Sequence, residues 1–180
     1  DRVYVPLAIG WHVDHYLTFL AMQNFKFKEK IYFYEDAPYC FIATATDSRL
    51  FQMGVKKETF PAFLQRWWRA SISFYKSGMV QTMQPVWQRY FAFPVTSVYL
   101  FRMLKSHLSS KQAIQAVDKT PVICDVSKFL EIKMQAAKMY KSQVKEFFCG
   151  FDDMRSSYLA HASRLGFKGK NVERYWKPLI

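Results

Sequence analysis

The stretch Gly10-Trp11-His12-Val13-Asp14-His15 places two imidazoles and a carboxylate close together near the start of the chain. Such a set can bind a metal ion and move protons. His12 and His15 are three residues apart, so a helical turn over them lets both rings face one cleft. Asp14 lies between them and can accept a hydrogen bond from a ring N–H, which fixes a tautomer and raises the basicity of that imidazole. A neutral imidazole suits zinc, and a carboxylate-paired one suits general acid catalysis. Histidines near a helix start also occur without a chemical role, so the spacing alone leaves both readings open.

The elements around these residues decide where they point. Residues 2–9 read as a buried strand entering a turn at Gly10, and residues 12–25 as a helix with Leu17, Leu20, Ala21 and Phe25 on its inner face. A second strand follows from Lys30 to Tyr34. The histidines then occupy the carboxyl end of a strand and the first turn of a helix, where open α/β sheets bind their ligands. Glu35, Asp36 and Tyr39 follow the second strand and are candidates to bind substrate in the same crevice, although Asp36-Ala37-Pro38 is equally good turn chemistry.

Two runs, Val5-Pro6-Leu7-Ala8-Ile9-Gly10-Trp11-His12-Val13-Asp14-His15 and Ile31-Tyr32-Phe33-Tyr34-Glu35-Asp36-Ala37-Pro38-Tyr39, together resemble the second half of the PIG-L/LmbE-like zinc de-N-acetylases. Lys133 to Gln143, with Ala136, Tyr140 and Ser142, is similar to that family's late helix, and Glu173-Arg174-Tyr175-Trp176 to its closing segment. The resemblance implies the C-terminal portion of an α/β, Rossmann-like (LmbE-like) three-layer fold; residues 45–118, which it does not cover, read as a helix-rich aromatic insertion. It implies a Zn2+ cofactor with His15 as a ligand, His12 as the protonated acid and oxyanion stabiliser, and Asp14 as its orienter. The implied reaction is amide hydrolysis, releasing acetate from an N-acetylated sugar or glycoconjugate. Arg174 becomes a candidate contact for an acidic group of the substrate.

The family's His-Pro-Asp-Asp-Glu-type motif has no counterpart in the sequence. The other histidines are His107 and His161, and Asp152-Asp153 follows Gly150-Phe151 with no histidine before it. The expectation is therefore a site completed by a second chain or an N-terminal fragment. The opening Asp1-Arg2-Val3-Tyr4-Val5 reads as a strand already under way. The expected missing part is two or three βαβ units, on the order of 100 residues.

Composition constrains the alternatives. The 180 residues suffice for a real core, and they are 51% hydrophobic and 22% charged, without repeats or low-complexity runs. A net charge of +12 favours anionic partners at long range, and its dispersal along the chain is equally that of a solvated face. Cys40, Cys124 and Cys149 are odd in number and widely spaced, which suits buried thiols in a reducing, cytoplasmic compartment. The most apolar stretch, Tyr90 to Phe101, falls short of the ~20 residues of a membrane span and is interrupted by Pro94. The 17 Phe, 11 Tyr and 5 Trp serve core packing first, and a sugar-stacking pocket or a large interface second.

Further along, Glu58 to Lys76 reads as an amphipathic helix with Phe60, Phe63, Leu64, Trp67 and Trp68 on its apolar side, Arg66 among its polar residues, and Gly78 as its terminator. An aromatic segment from Pro85 to Leu104 is expected to break at Pro94, and a short helix to span Ser109–Val117. Thr120 to Val126 reads as a strand, and Ser127 as the N-cap of one long helix to about Phe148 with Phe129, Ile132, Met139 and Tyr140 on its inner stripe. Asp153 to Leu165 reads as a helix ended by Gly166, with Asn171 to Trp176 folding back on the domain. Two other classes stay open: a non-catalytic relative acting as an interaction module, and a basic binding module for nucleic acid or anionic membrane.

Overall fold

The structure is a computed structural model that describes residues 1–42, 44–55, 59–76, 78–81, 85–109 and 117–179. It is a mixed α/β protein. Strands β1 (Val3–Pro6), β2 (Ile31–Tyr34), β3 (Val122–Asp125) and β4 (Val172–Trp176) form one sheet in the order β1-β2-β4-β3. β1 and β2 are parallel, with Val3 opposite Ile31 and Pro6 opposite Tyr34, and helix α1 (Val13–Gln23) makes the crossover between them. β4 is antiparallel to both neighbours, with Tyr34 opposite Tyr175 on one side and Asp125 opposite Val172 on the other. The closing segment thus becomes an inner strand of the sheet.

The remaining helices are α2 (Ala45–Gln52), α3 (Phe60–Tyr75), α4 (Gly78–Gln81), α5 (Trp87–Ser109), α6 (Leu130–Ala137), α7 (Lys141–Phe147) and α8 (Phe151–Arg164). One core joins the sheet to α1 and α2 through Val5, Leu7, Phe19, Phe33 and Leu50, with Phe19 and Phe33 rings 5.1 Å apart. A second gathers Leu130, Met134, Val144, Phe148 and Tyr158, and Phe41 packs against both. Fully burying one such side chain contributes roughly 1.5–3 kcal/mol, so these clusters hold the α/β unit together.

Several expectations are corrected. Strand β1 stops at Pro6, because Ala8 and Gly10 both take positive φ and turn the chain. Helix α1 buries Phe19 and half-buries Tyr16 and Met22, whereas Leu17, Leu20 and Ala21 face outward. Gly78 does not terminate α3, which ends at Tyr75 with Lys76 as its cap; Gly78 opens α4. Arg66 is buried under the rings of Phe51 and Phe63 and donates to Ser48, while Phe60, Leu64 and Trp68 are exposed.

Pro94 does not break α5. It lies on the solvent face near exposed Tyr90, so water can take the carbonyl that the missing N–H leaves free, and Thr96 Oγ1 bonds back to Ala92 and Phe93 carbonyls. The long helix expected from Ser127 to Phe148 is two helices, α6 and α7, separated at Tyr140 (φ −98, ψ 51). Its buried stripe is Leu130, Met134, Val144 and Phe148; Phe129, Ile132, Met139 and Tyr140 are exposed. An unbroken helix would set Lys141 on that stripe between Ala137 and Val144, and the break keeps it in water. Ser127 does not cap α6, since its hydroxyl is held by Asp125 and accepts from the Asn171 N–H.

The strand at Lys30–Tyr34, the strand within Thr120–Val126 and the helix stopped by Gly166 (φ 92) stand as expected. The short helix expected over Ser109–Val117 falls on residues 110–116, which lie outside the described residues. Among the described residues, no helix is long and apolar enough to cross a membrane.

Candidate functional site

The turn that leads from β1 into α1 is tightly supported. Arg49, fully buried on α2, donates from Nε to the Leu7 carbonyl at 2.8 Å, and its guanidinium lies over the Phe19 ring at 4.4 Å. Burial pushes its pKa down to about 10, against the pull of Tyr16 and Asp36. Asp36, just beyond β2, accepts the Ala8 N–H at 3.2 Å. A cation and an anion thereby clamp the two sides of one peptide group, that between Leu7 and Ala8, in the segment leaving β1. Ala8 sits in the left-handed region at φ 59, a conformation that a side chain adopts only when its surroundings hold it there.

Gly10 follows at φ 78, and a Cβ at that position would run into the ring of Tyr39. The tyrosine therefore lies directly against the turn. Its ring is 6.3 Å from that of His12 and 6.1 Å from that of His15, and on its far side it meets Phe147 edge-on at 5.6 Å.

The histidines lie where the sequence placed them, one capping α1 and the other in its first turn, with ring centroids 5.3 Å apart. Their carboxylate partners differ. His15 Nδ1 lies 3.2 Å from Asp36 Oδ2, and Asp36 is 1% exposed. A donating Nδ1–H fixes the tautomer that leaves the Nε2 lone pair available for a metal or an acidic proton. Asp14 is 78% exposed, and its Oδ2 lies 3.7 Å from His12 Nδ1, beyond hydrogen-bond distance. The buried orienting carboxylate in this cluster is thus Asp36, acting on His15. Burial raises the Asp36 pKa to about 6, opposed by His15 and by the N–H groups of Ile9 and Ala8.

Glu35 and Arg174 stand apart from the imidazoles. Arg174 Nε donates to Glu35 Oε1 at 2.5 Å and Trp176 Nε1 to the same oxygen at 3.0 Å, while His161 Nε2 lies 3.4 Å from Glu35 Oε2. All of these groups except Trp176 line a separate cavity to which neither His12 nor His15 contributes. Sequence reasoning missed Arg49, because nothing in the spacing of α2 marks an arginine as buried. It also missed His161 as a partner of Glu35; both residues stand beside recognisable landmarks, yet only the fold brings them together.

The metal expectation can be tested against these side chains. His15 fits one ligand position, with a fixed tautomer and an available Nε2, and His12 is the nearest second imidazole. Among the described residues, no group of three or more His, Cys, Asp or Glu side chains is arranged to hold a metal ion. Fold and site together define a mixed α/β protein with two neighbouring imidazoles, one of them held by a buried carboxylate, where β1 passes into α1 of a βαβ unit. No family model, curated protein or solved structure matches the chain.

Proposed function

We propose that this chain supplies the His-x-Asp-His part of a zinc-dependent de-N-acetylase of the PIG-L/LmbE type, with its sheet as the C-terminal portion of that family's Rossmann-like three-layer fold. The observation that carries the reading is the His15–Asp36 pair: a buried carboxylate holding one imidazole nitrogen so that the other stays available, beyond the ends of paired parallel strands. The remaining donors come from an N-terminal fragment or a second chain. Of the three thiols expected to be buried, Cys40 is, whereas Cys124 is half-buried and Cys149 exposed; unpaired thiols suit the cytoplasmic setting proposed for the chain.

Zn2+, when bound, supplies an activated water and polarises the amide carbonyl. The chain's own residues then have distinct tasks. His15 offers Nε2 as a ligand, oriented from behind by Asp36. His12, with Nδ1 turned towards Asp14, presents Nε2 beside the amide, where in its protonated form it stabilises the oxyanion and passes a proton to the leaving amine. The products are acetate and a free amine on a sugar or glycoconjugate. Tyr39, with its ring 6.3 Å from that of His12 and 6.1 Å from that of His15, is placed to contact the substrate beside them.

The test is the zinc content and N-acetylglucosamine deacetylation of the complete assembly, with intact mass identifying each polypeptide in it. His15→Ala is expected to remove both zinc and activity. Zinc content and turnover that survive the substitution would overturn the reading.

A further inference from the structure

The cavity beside Glu35 is lined without either imidazole. It holds about 370 Å3, at the small end of ligand sites and enough for a single sugar ring. Its polar lining is balanced: Glu35 and Glu173 face Arg174 and Lys133, paired as Glu35–Arg174 and Glu173–Lys133. A wall without net charge does not select an ion. Carboxylate oxygens, an ammonium and phenol hydroxyls at close quarters do suit neighbouring hydroxyls, each of which both donates and accepts.

Three further observations point the same way. Glu35 is almost fully buried, yet its Oε2 receives no hydrogen bond from the described residues, with only the His161 ring at 3.4 Å. A buried carboxylate oxygen left in that state costs free energy, which a donor brought by a ligand recovers. The rings of Tyr4, Tyr34, Tyr158 and Tyr175 supply flat walls for the C–H face of a pyranose. The one thiol in the lining, Cys40, has its pKa pushed well up by burial, so the cavity presents no ready nucleophile and is suited to holding a ligand.

We propose that this cavity is a binding site for a neutral monosaccharide unit, with Glu35 Oε2 and the Tyr158 hydroxyl accepting from and donating to its hydroxyl groups. The proposal rests on neither zinc nor hydrolysis, and it places a saccharide site away from the imidazole pair.

The experiment is a saturation-transfer NMR titration of the full chain with glucose, galactose and, separately, inorganic phosphate. Saturable binding of the sugars in the millimolar range is expected, weakened about tenfold by Tyr158→Phe and by Glu35→Gln, each of which preserves side-chain shape. His15→Ala is expected to bind the sugars as the parent does, which separates this site from the proposed deacetylase centre. Thermal melts of both cavity variants confirm that they remain folded. Absence of saturable sugar binding, binding of phosphate alone, or sugar binding that is lost with His15 and kept by the cavity variants would each overturn the proposal.

Discussion

Glu35 and Asp36 are neighbours in sequence, are both nearly inaccessible to water, and serve different parts of the molecule. Glu35 is held by a guanidinium and an indole from β4 and faces the tyrosine-lined cavity. Asp36 is held by backbone N–H groups and a half-exposed imidazole, and supports the turn that carries His12 and His15. The difference shows how two adjacent acids in a strand-to-turn transition can supply one site with a charge-matched anchor and another with a weakly compensated one.

The comparison breaks most visibly at Glu35. Glu35→Ala leaves the Arg174 guanidinium and the Trp176 N–H without their acceptor inside the protein, and breaking a buried ion pair in this way costs about 3–5 kcal/mol. Urea unfolding is expected to show a loss of that size, with Glu35→Gln far milder because an oxygen remains in place for both donors. Equal losses for the two substitutions would mean that packing of the side chain, and not its acceptor oxygens, holds β4 against β2.

Asp36 is distinguished by the sign of its pH dependence. Its folded-state pKa, about 6, lies above the ordinary 3.8, so its contribution to stability is fully present below about pH 3.8 and is lost as the pH rises through 6. Asp36→Asn removes that titration while keeping an acceptor for Ala8. The variant is expected to gain on the parent protein between pH 4 and 7, by on the order of 1–3 kcal/mol, when urea unfolding is repeated across the range. Glu173 moves oppositely. Burial would raise it, but hydrogen bonds from Lys133 and Tyr175 hold it below its ordinary value, so its contribution is lost as the pH falls. Parallel parent and Asp36→Asn curves would mean that His15 compensates the buried carboxylate completely.

How much of this was legible in the sequence depends on the reach of the signal. The βαβ unit and the placement of His12 and His15 follow from local pattern: an apolar run, a turn glycine, and a spacing of three. Asp36 was visible only as a residue at a strand end, and its bond to His15 spans 21 positions. The pairing of Glu35 with Arg174 spans 139 positions and needs β4 inserted between β2 and β3, a topology that periodicity does not encode. The inner face of α1 was misread for a related reason. Leu17 and Leu20 are as apolar as Phe19, and only the position of the sheet decides which of them it covers. In the helical middle, Arg49 and Arg66 are buried by stacking on aromatic rings, an arrangement that looks like an ordinary polar position when read in one dimension.

The smallest effect on stability belongs to Asp14, and it separates the two histidines most cleanly. Its carboxylate is exposed and 3.7 Å from His12, so Asp14→Asn is expected to change unfolding by less than about 0.5 kcal/mol. Its role in the proposed chemistry is confined to turning His12, a function that neither packing nor His15 depends on. In the complete assembly, turnover is therefore expected to fall while zinc content stays the same. A loss of zinc in Asp14→Asn would assign Asp14 to the ligand set, and would make the exposed carboxylate, and not Asp36 alone, the group that distinguishes this site from the cavity beside it.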